Sequence, residues 1–146
     1  MLRIAKLTDY AAVLLTSMAS SPEAQSSASE LAARAMLEAP TAAKVLKTLA
    51  QAGLVESRRG AGGGYRLARA PSAITMADVV AAMEGPIGMT ECVVDEGACG
   101  HEGHCGVQAN WRQISVAIEA ALRAVTLAQM LPAVSPRRIP LRVLHA

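Results

Sequence analysis

Residues Val45–Arg69 read "VLKTLAQAGLVESRRGAGGGYRLAR". The first part has helical periodicity, with Val45, Leu46 and Leu49 on one face and Lys44 and Lys47 on another. Gly53 stands where a left-handed residue ends a helix, so a helix is expected from Thr41 to about Gln51, with Pro40 in its first turn. Beyond it, Leu54-Val55 and Tyr65-Arg66-Leu67 have strand character, and the run Gly60–Gly64 turns the chain between them. The stretch therefore predicts a helix followed by a small hairpin.

Working outward, "SSPEAQSS" (Ser20–Ser27) is a turn or loop, and Ser29 is expected to cap a short helix, "ELAARAML". A tight "EAP" connection then leads into the helix at Thr41. Helix, tight turn, helix and hairpin is the order of a winged helix-turn-helix. Upstream, Thr8 is expected to N-cap a helix from Asp9 to about Ala19, with Leu7, Tyr10, Leu14, Leu15 and Met18 as its buried stripe. Downstream, a fourth helix runs from Thr75 through Met83. A long helix follows from about Val107 to Leu131, with Trp111, Ile114, Ile118, Ala121, Val125 and Ala128 at 3-4 spacing. About 25 residues of helix exceed what so small a domain covers alone, which predicts a homodimer paired through this helix.

The expected fold class is mainly α, a winged helix-turn-helix with a two-stranded wing and a long C-terminal dimerisation helix. The expected division is residues 1–84 for the winged-helix domain, 85–106 for a cysteine-rich loop and 107–131 for the dimerisation helix. Residues 132–146, with several prolines, make a loosely held tail.

Composition agrees with an α-rich globular protein: 146 residues, 52% hydrophobic, no Phe, and only 2% aromatic. Charge is segregated. Pro40–Ala70 holds two Lys, four Arg and one Glu, whereas Pro71–Trp111 holds six acids and no Lys or Arg. A basic segment suits a polyanion, and an acidic one must lie away from it. No apolar run reaches the roughly 20 residues that cross a bilayer. The N-terminal stretch faintly resembles a signal peptide, but Asp9 and Tyr10 interrupt that pattern. An odd number of clustered cysteines suits a cytoplasmic metal or redox site better than a disulfide framework.

The basic segment reads as the DNA surface. On the second helix of the pair, Thr41, Ala43, Lys44 and Lys47 are the expected exposed positions, suited to the major groove of an operator duplex. On the hairpin, Arg58, Arg59, Gly60, Gly62 and Arg66 are expected to face DNA, the glycines admitting the backbone to the minor groove. The glycine run lacks the Gly-x-x-x-x-Gly-Lys-Ser/Thr pattern of a phosphate loop, so nucleotide binding is not expected. No substrate pocket or nucleophile–base constellation is visible. The protein is not expected to be an enzyme or to take a small-molecule substrate.

Every cysteine lies in "TECVVDEGACGHEGHCGVQANW", Thr90–Trp111. The spacing Cys92-x6-Cys99-x5-Cys105 lacks the Cys-x2-Cys pairs of zinc knuckles, and wider spacing suits an iron–sulfur cluster. Zinc remains the alternative, because His101 and His104 could complete a tetrahedral set. Glycines at 97, 100, 103 and 106 let the loop wrap a bound group.

The segments "LTDYAAVLLTSMA", "ASELAARAML", "VLKTLAQAGLVESRRGAGGGYRLAR" and "ITMADVVAAMEG" resemble, in order, the Rrf2 family of bacterial transcription regulators. The resemblance covers about Met1 to Leu131, and the "RRGAGGGYRLAR" wing is its most specific motif. It implies a homodimer on a roughly palindromic operator, with Thr41, Lys44 and Lys47 on the recognition helix and Arg59 and Gly60 on the wing. Members that sense iron–sulfur status carry three cysteines between the fourth helix and the dimerisation helix, as here, though the first gap is one residue longer. The cofactor implied is an iron–sulfur cluster, 2Fe–2S rather than 4Fe–4S, with control of cluster-assembly genes of the SUF type. A zinc-stabilised regulator, or one responding to nitric oxide or thiol redox, is the alternative, and an iron–sulfur redox protein or carrier a more distant one. Some members take a fourth ligand from a histidine three residues past the last cysteine, where this chain has Gln108. Others take an aspartate near the N-terminus of the partner subunit, and Asp9 matches that position. The expected order is Asp9 of the partner subunit, then His104, then Gln108.

Overall fold

The structure is a computed structural model and describes residues 3–132. The tail expected at 132–146 thus lies outside the described residues apart from Pro132. The helices are α1 Lys6–Ala19, α2 Ala28–Ala35, α3 Ala39–Gln51, α4 Met76–Glu84, α5 Glu91–Val94, α6 Gln108–Arg123 and α7 Leu127–Met130; the strands are β1 Val55–Arg58 and β2 Gly64–Leu67. The strands pair antiparallel, with Val55 opposite Leu67 and Arg58 opposite Gly64. The α2–α3 pair followed by this ribbon is a winged helix-turn-helix.

One core holds it together. Leu14 and Leu15 of α1, Leu31 of α2, Val45, Leu46 and Leu49 of α3, Ile74, Val79 of α4 and Leu127 of α7 are all fully buried. A fully buried aliphatic side chain of this size contributes about 1.5–3 kcal/mol, and α1, which packs against α2, α3, α4, α7 and β2, is the spine of the domain.

The local starts and stops show the physics. The end of α3 is a Schellman motif: Gly53 (φ 74°) is left-handed, its N–H donates to Ala50 O, and Leu54 N–H donates to Leu49 O. Leu49 and Leu54 are both buried there, joining the turn to the core. The cap of α2 is Ser27 rather than Ser29: its side chain accepts from Glu30 N–H while Glu30 accepts from Ser27 N–H. The carboxyl of Glu30 is held below its ordinary value, first by the Ser27 backbone N–H and then by the Ser27 hydroxyl.

Thr8 is not the N-cap of α1. The helix begins two residues ahead of it, its N-cap Ala5 has no side-chain cap, and Thr8 is buried inside the first turn. The capping group arrives from α4: Glu84 Oε1 accepts from Ala5 N–H (3.1 Å) and from Thr8 Oγ1 (2.6 Å). A carboxylate at a helix N-terminus satisfies orphan donors and complements the helix dipole.

The expected continuous helix to Leu131 ends at Arg123. Thr126 then opens α7 with a capping box to Gln129. The interruption pairs with the start of α4, which opens with the same device, Thr75 to Asp78. Thr75 and Thr126 form an antiparallel bridge, Met76 N–H donates to Val125 O and Leu127 N–H to Ile74 O. The chain leaves the helix here to bury Leu127 in the core. Partial burial pushes the Asp78 carboxyl up, but the Thr75 amide and hydroxyl, with Arg69 and Arg123, hold it below its usual value overall.

Candidate DNA-binding surface and cysteine connection

On α3, Ala43, Lys44 and Lys47 are exposed and Thr41 is half-buried, while Val45, Leu46 and Leu49 point inward. That amphipathic split puts two ammonium groups on the outer face, in no ion pair among the described residues. The wing follows directly. Its tip residues Arg58, Arg59, Gly60 and Gly62 are exposed, and among the described residues neither arginine is in an ion pair. Arg66 differs. Opposite Glu56 in the ribbon register, it lies 2.7 Å from that carboxylate, so its charge is engaged within the wing.

The glycine run has a structural reason independent of any ligand. Gly64 sits at φ 139°, and a Cβ there would come within 2.5 Å of Ser26 O. That contact exists because Ser26, in the segment expected as a plain loop, bridges Tyr65 through two backbone hydrogen bonds of 3.0 and 2.8 Å. Buried Ser26 also accepts from Arg34 Nη2 at 2.7 Å. The wing is thus tied to the body by a third strand-like residue that propensity alone does not reveal.

The cysteine segment is more ordered than a loop. Cys92 lies on α5 and is buried, its Sγ 3.4 Å from Thr90 Oγ1. Cys99 and Cys105 are half-buried, and all three are free thiols. His101 and His104 are exposed. Soft thiolates suit an iron–sulfur cluster or zinc, so the donor chemistry fits. The placement does not: among the described residues no three His, Cys, Asp or Glu side chains come together as a metal-binding group. Asp9 is exposed in the first turn of α1, beside a recess shared with Arg3, Ile4, Lys6 and Glu84 and apart from the chain's own thiols. The Gln108 side chain is occupied, donating to Glu102 Oε1 at 2.6 Å. The other Glu102 oxygen accepts from Gly97 N–H at 2.7 Å. Glu102 was not singled out from sequence. Its acidity in an acidic stretch gives no sign of which donors it meets.

An amphipathic reading helix, a two-stranded wing and a thiol-bearing connection define a winged-helix regulator. Residues 4–133 match the Rrf2 family model, described as an iron-dependent transcriptional regulator, and the chain belongs to that family. It is 35% identical over 133 residues to Protein aau3 of Rhizobium meliloti, covering 90% of this chain and 86% of that one. Among solved structures it is similar to CymR (YrzC), the global cysteine regulator of B. subtilis, with TM-score 0.68 and 30% identity over 89% of this chain and 96% of that one. It is also similar to T. potens IscR, with TM-score 0.67 and 28% identity over 88% and 85% of the two chains. The family is one of transcriptional regulators, not enzymes. Among the described residues no helix is long and apolar enough to cross a membrane.

Proposed function

We propose that this protein is a cytoplasmic, homodimeric regulator that reads an operator duplex with α3 and the wing and senses iron–sulfur status through its cysteine connection. Lys44 and Lys47 face the major groove, Arg58 and Arg59 the adjacent minor groove, and Thr41 packs at the groove edge. The observation that carries this is the separation of chemistries: Lys44, Lys47, Arg58 and Arg59, in no ion pair among the described residues, lie on α3 and the wing tip, and all three thiols lie in the acid-rich connection.

Pairing through α6 is supported by the apolar residues it leaves uncovered. Trp111 is 38% exposed, Ile114 43% and Val116 62%, a surface suited to a second copy. Cys92, Cys99 and Cys105 are the residues that would hold a 2Fe–2S cluster, supplying a redox-labile group, with Asp9 of the partner subunit as the fourth donor. Gathering them requires the connection to change shape, so occupancy and loop conformation are linked. Control of cluster-assembly genes completes this reading, on the resemblance to family members that carry three cysteines in this connection.

The half-buried, ungathered thiols Cys99 and Cys105 favour a second reading, direct thiol or nitric-oxide chemistry. Anaerobic purification separates the two. The cluster reading expects a brown dimer containing iron and sulfide, whose visible absorption is lost in Cys92→Ser, Cys99→Ser and Cys105→Ser. A colourless protein whose operator binding changes on thiol oxidation overturns it in favour of the second. A colourless zinc protein indifferent to oxidation overturns both.

A further inference from the structure

Arg34 is an exposed cation on α2, the helix that precedes the reading helix. It stands in the last turn of α2, yet its side chain runs back along the helix to the residue ahead of the N-cap: Nη2 donates to Ser26 Oγ at 2.7 Å. Long helical side chains lean towards the helix N-terminus, which gives this arginine the direction it needs. What it holds is the joint of the wing. Buried Ser26 exchanges both backbone hydrogen bonds with Tyr65 of β2, at 3.0 and 2.8 Å. On one side of it Gln25 Nε2 donates to Gly64 O at 3.4 Å, and on the other Ser27 opens the capping box of α2. Three consecutive residues thus join β2 to the start of α2, and Arg34 brings the charged donor among the bonds that reach Ser26. Charge-assisted hydrogen bonds are roughly twice as strong as neutral ones. The tie also meets the ribbon near its turn rather than at its base. Tyr65 is opposite Ser57, and Arg58 and Arg59 follow at once. The ion pairs nearby do not duplicate it: Arg66–Glu56 joins the two strands to each other, and Arg69–Asp78 lies beyond the end of β2.

We infer that Arg34 is a positioning residue for DNA reading: through Ser26 it fixes the wing against the helix pair, so that Arg58, Arg59 and α3 meet the duplex together. The inference deepens the proposed function and rests on its assignment of the wing to the minor groove. An exposed arginine beside a reading helix would ordinarily be taken for a phosphate contact. Here the guanidinium is directed to a buried hydroxyl of its own chain, and its effect on the DNA passes through that hydroxyl.

The probe is a duplex that the wild-type protein selects from a random pool, with binding measured across a salt series. Arg34→Ala is expected to weaken binding by about three- to tenfold, the range over which one hydrogen bond shifts an equilibrium. Its salt slope is expected to stay at the wild-type value, whereas loss of a phosphate contact would take about 0.9 from it. Ser26→Ala is expected to lose as much affinity, and Ser26→Ala/Arg34→Ala no more than either alone, since both substitutions cut the same tie. Hydroxyl-radical footprints locate the loss: minor-groove protection beneath the wing weakens, while major-groove protection from methylation beneath α3 remains. Hydrogen exchange at Tyr65 N–H is expected to be faster in both variants. Arg34 is exposed, so its variant is expected to fold, which far-UV circular dichroism checks. A lower salt slope in Arg34→Ala makes the guanidinium a phosphate contact and overturns the inference. Unchanged binding by folded Arg34→Ala also overturns it, as do losses that add in the double variant. A wild-type footprint with no minor-groove protection beneath the wing overturns the wing assignment itself, and the role of Arg34 with it. A wild-type footprint that shows this protection and is indifferent to Arg34 overturns the role of Arg34 alone.

Discussion

Two glycines of the wing, Gly62 in its turn and Gly64 at the start of β2, should respond very differently to the same substitution. Gly62 has φ 76°, but a Cβ there meets nothing within 4 Å. Its replacement by Ala pays only for a left-handed L-residue, about 1 kcal/mol. Gly64 has φ 139°, a region essentially closed to residues with a Cβ, and its Cβ would sit 2.5 Å from Ser26 O and 2.7 Å from Ser26 C. Backbone strain of about 1–3 kcal/mol adds to an overpacking cost of about 1–3 kcal/mol, and the obstacle is backbone, which cannot swing aside. Gly64→Ala is therefore expected to cost about 3–4 kcal/mol, a large part of the roughly 5–15 kcal/mol that a domain possesses. At about 2–4 °C per kcal/mol this lowers Tm by about 10 °C. Thermal and urea unfolding followed by far-UV circular dichroism, on both variants under one buffer, makes the measurement. The loss should include the Ser26–Tyr65 bridge, seen as faster hydrogen exchange at Tyr65 N–H, which bonds Ser26 O at 2.8 Å. Equal costs for the two variants refute the argument. So does a Gly64→Ala protein with an unchanged Tyr65 amide.

The other expectations are smaller or functional. Glu84→Ala removes the acceptor of the buried Thr8 hydroxyl and of Ala5 N–H; it is expected to cost about 1–2 kcal/mol by urea unfolding, and the cost should shrink in a Thr8→Ala background. Met36 is the one non-glycine described with positive φ (53°) and is 92% exposed, so Met36→Gly relieves strain without losing burial and should stabilise by about 0.5–1 kcal/mol. The Asp78 carboxyl is depressed, so its contribution is present above the ordinary aspartate value of 3.8 and is lost as pH falls through its lower folded value. Asp78→Asn should accordingly flatten the stability profile below about pH 4, measured by thermal unfolding against pH. Arg59→Ala should weaken operator binding and shallow the dependence on salt by about one unit per arginine removed. Arg66→Ala should do so less, because Glu56 already engages that charge. Equal effects in filter binding would show that the wing does not distinguish its tip from its stem.

The parts of the fold written in local chemistry were legible in the sequence. The alternation of Val45, Leu46 and Leu49 with Lys44 and Lys47 places one face of α3 inward and one outward, and Gly53 stops the helix where a left-handed residue must. What local chemistry does not carry was missed. Thr8 has the residue type of an N-cap, but the cap of α1 is Glu84, 76 residues away, and only tertiary packing brings it there. The break after Arg123 did leave a sign: Thr126-Leu127-Ala128-Gln129 is a Thr-x-x-Gln capping box in the middle of an apolar 3-4 repeat. The repeat dominated because Val125 and Ala128 continue its spacing, although neither lies on α6. The cysteine spacing names three thiol donors, but a list of donor types cannot show whether the side chains converge, and among the described residues they do not gather into a metal-binding group.

The same non-local ties constrain how the connection could act on the DNA surface under the proposed function. Its entry follows Glu84, the residue that caps α1. Its exit is α6, whose far end is pinned through Thr126 and Leu127 to the segment that starts α4. Both anchors belong to the winged-helix core, one holding the spine helix and the other closing the core with Leu127. Between them α6 touches the connection through Ser115, which accepts from Met89 N–H at 3.0 Å while donating to Trp111 O at 2.8 Å. A helix fixed at its C-terminal end and loaded at its N-terminal end responds to a change in loop shape by pivoting. That pivot swings Trp111 and Ile114, nearest the loop, through the largest arc. In a dimer paired along α6 those residues set the angle between two wings, so a small rearrangement around Cys99–Cys105 is converted into a change in spacing between two reading helices.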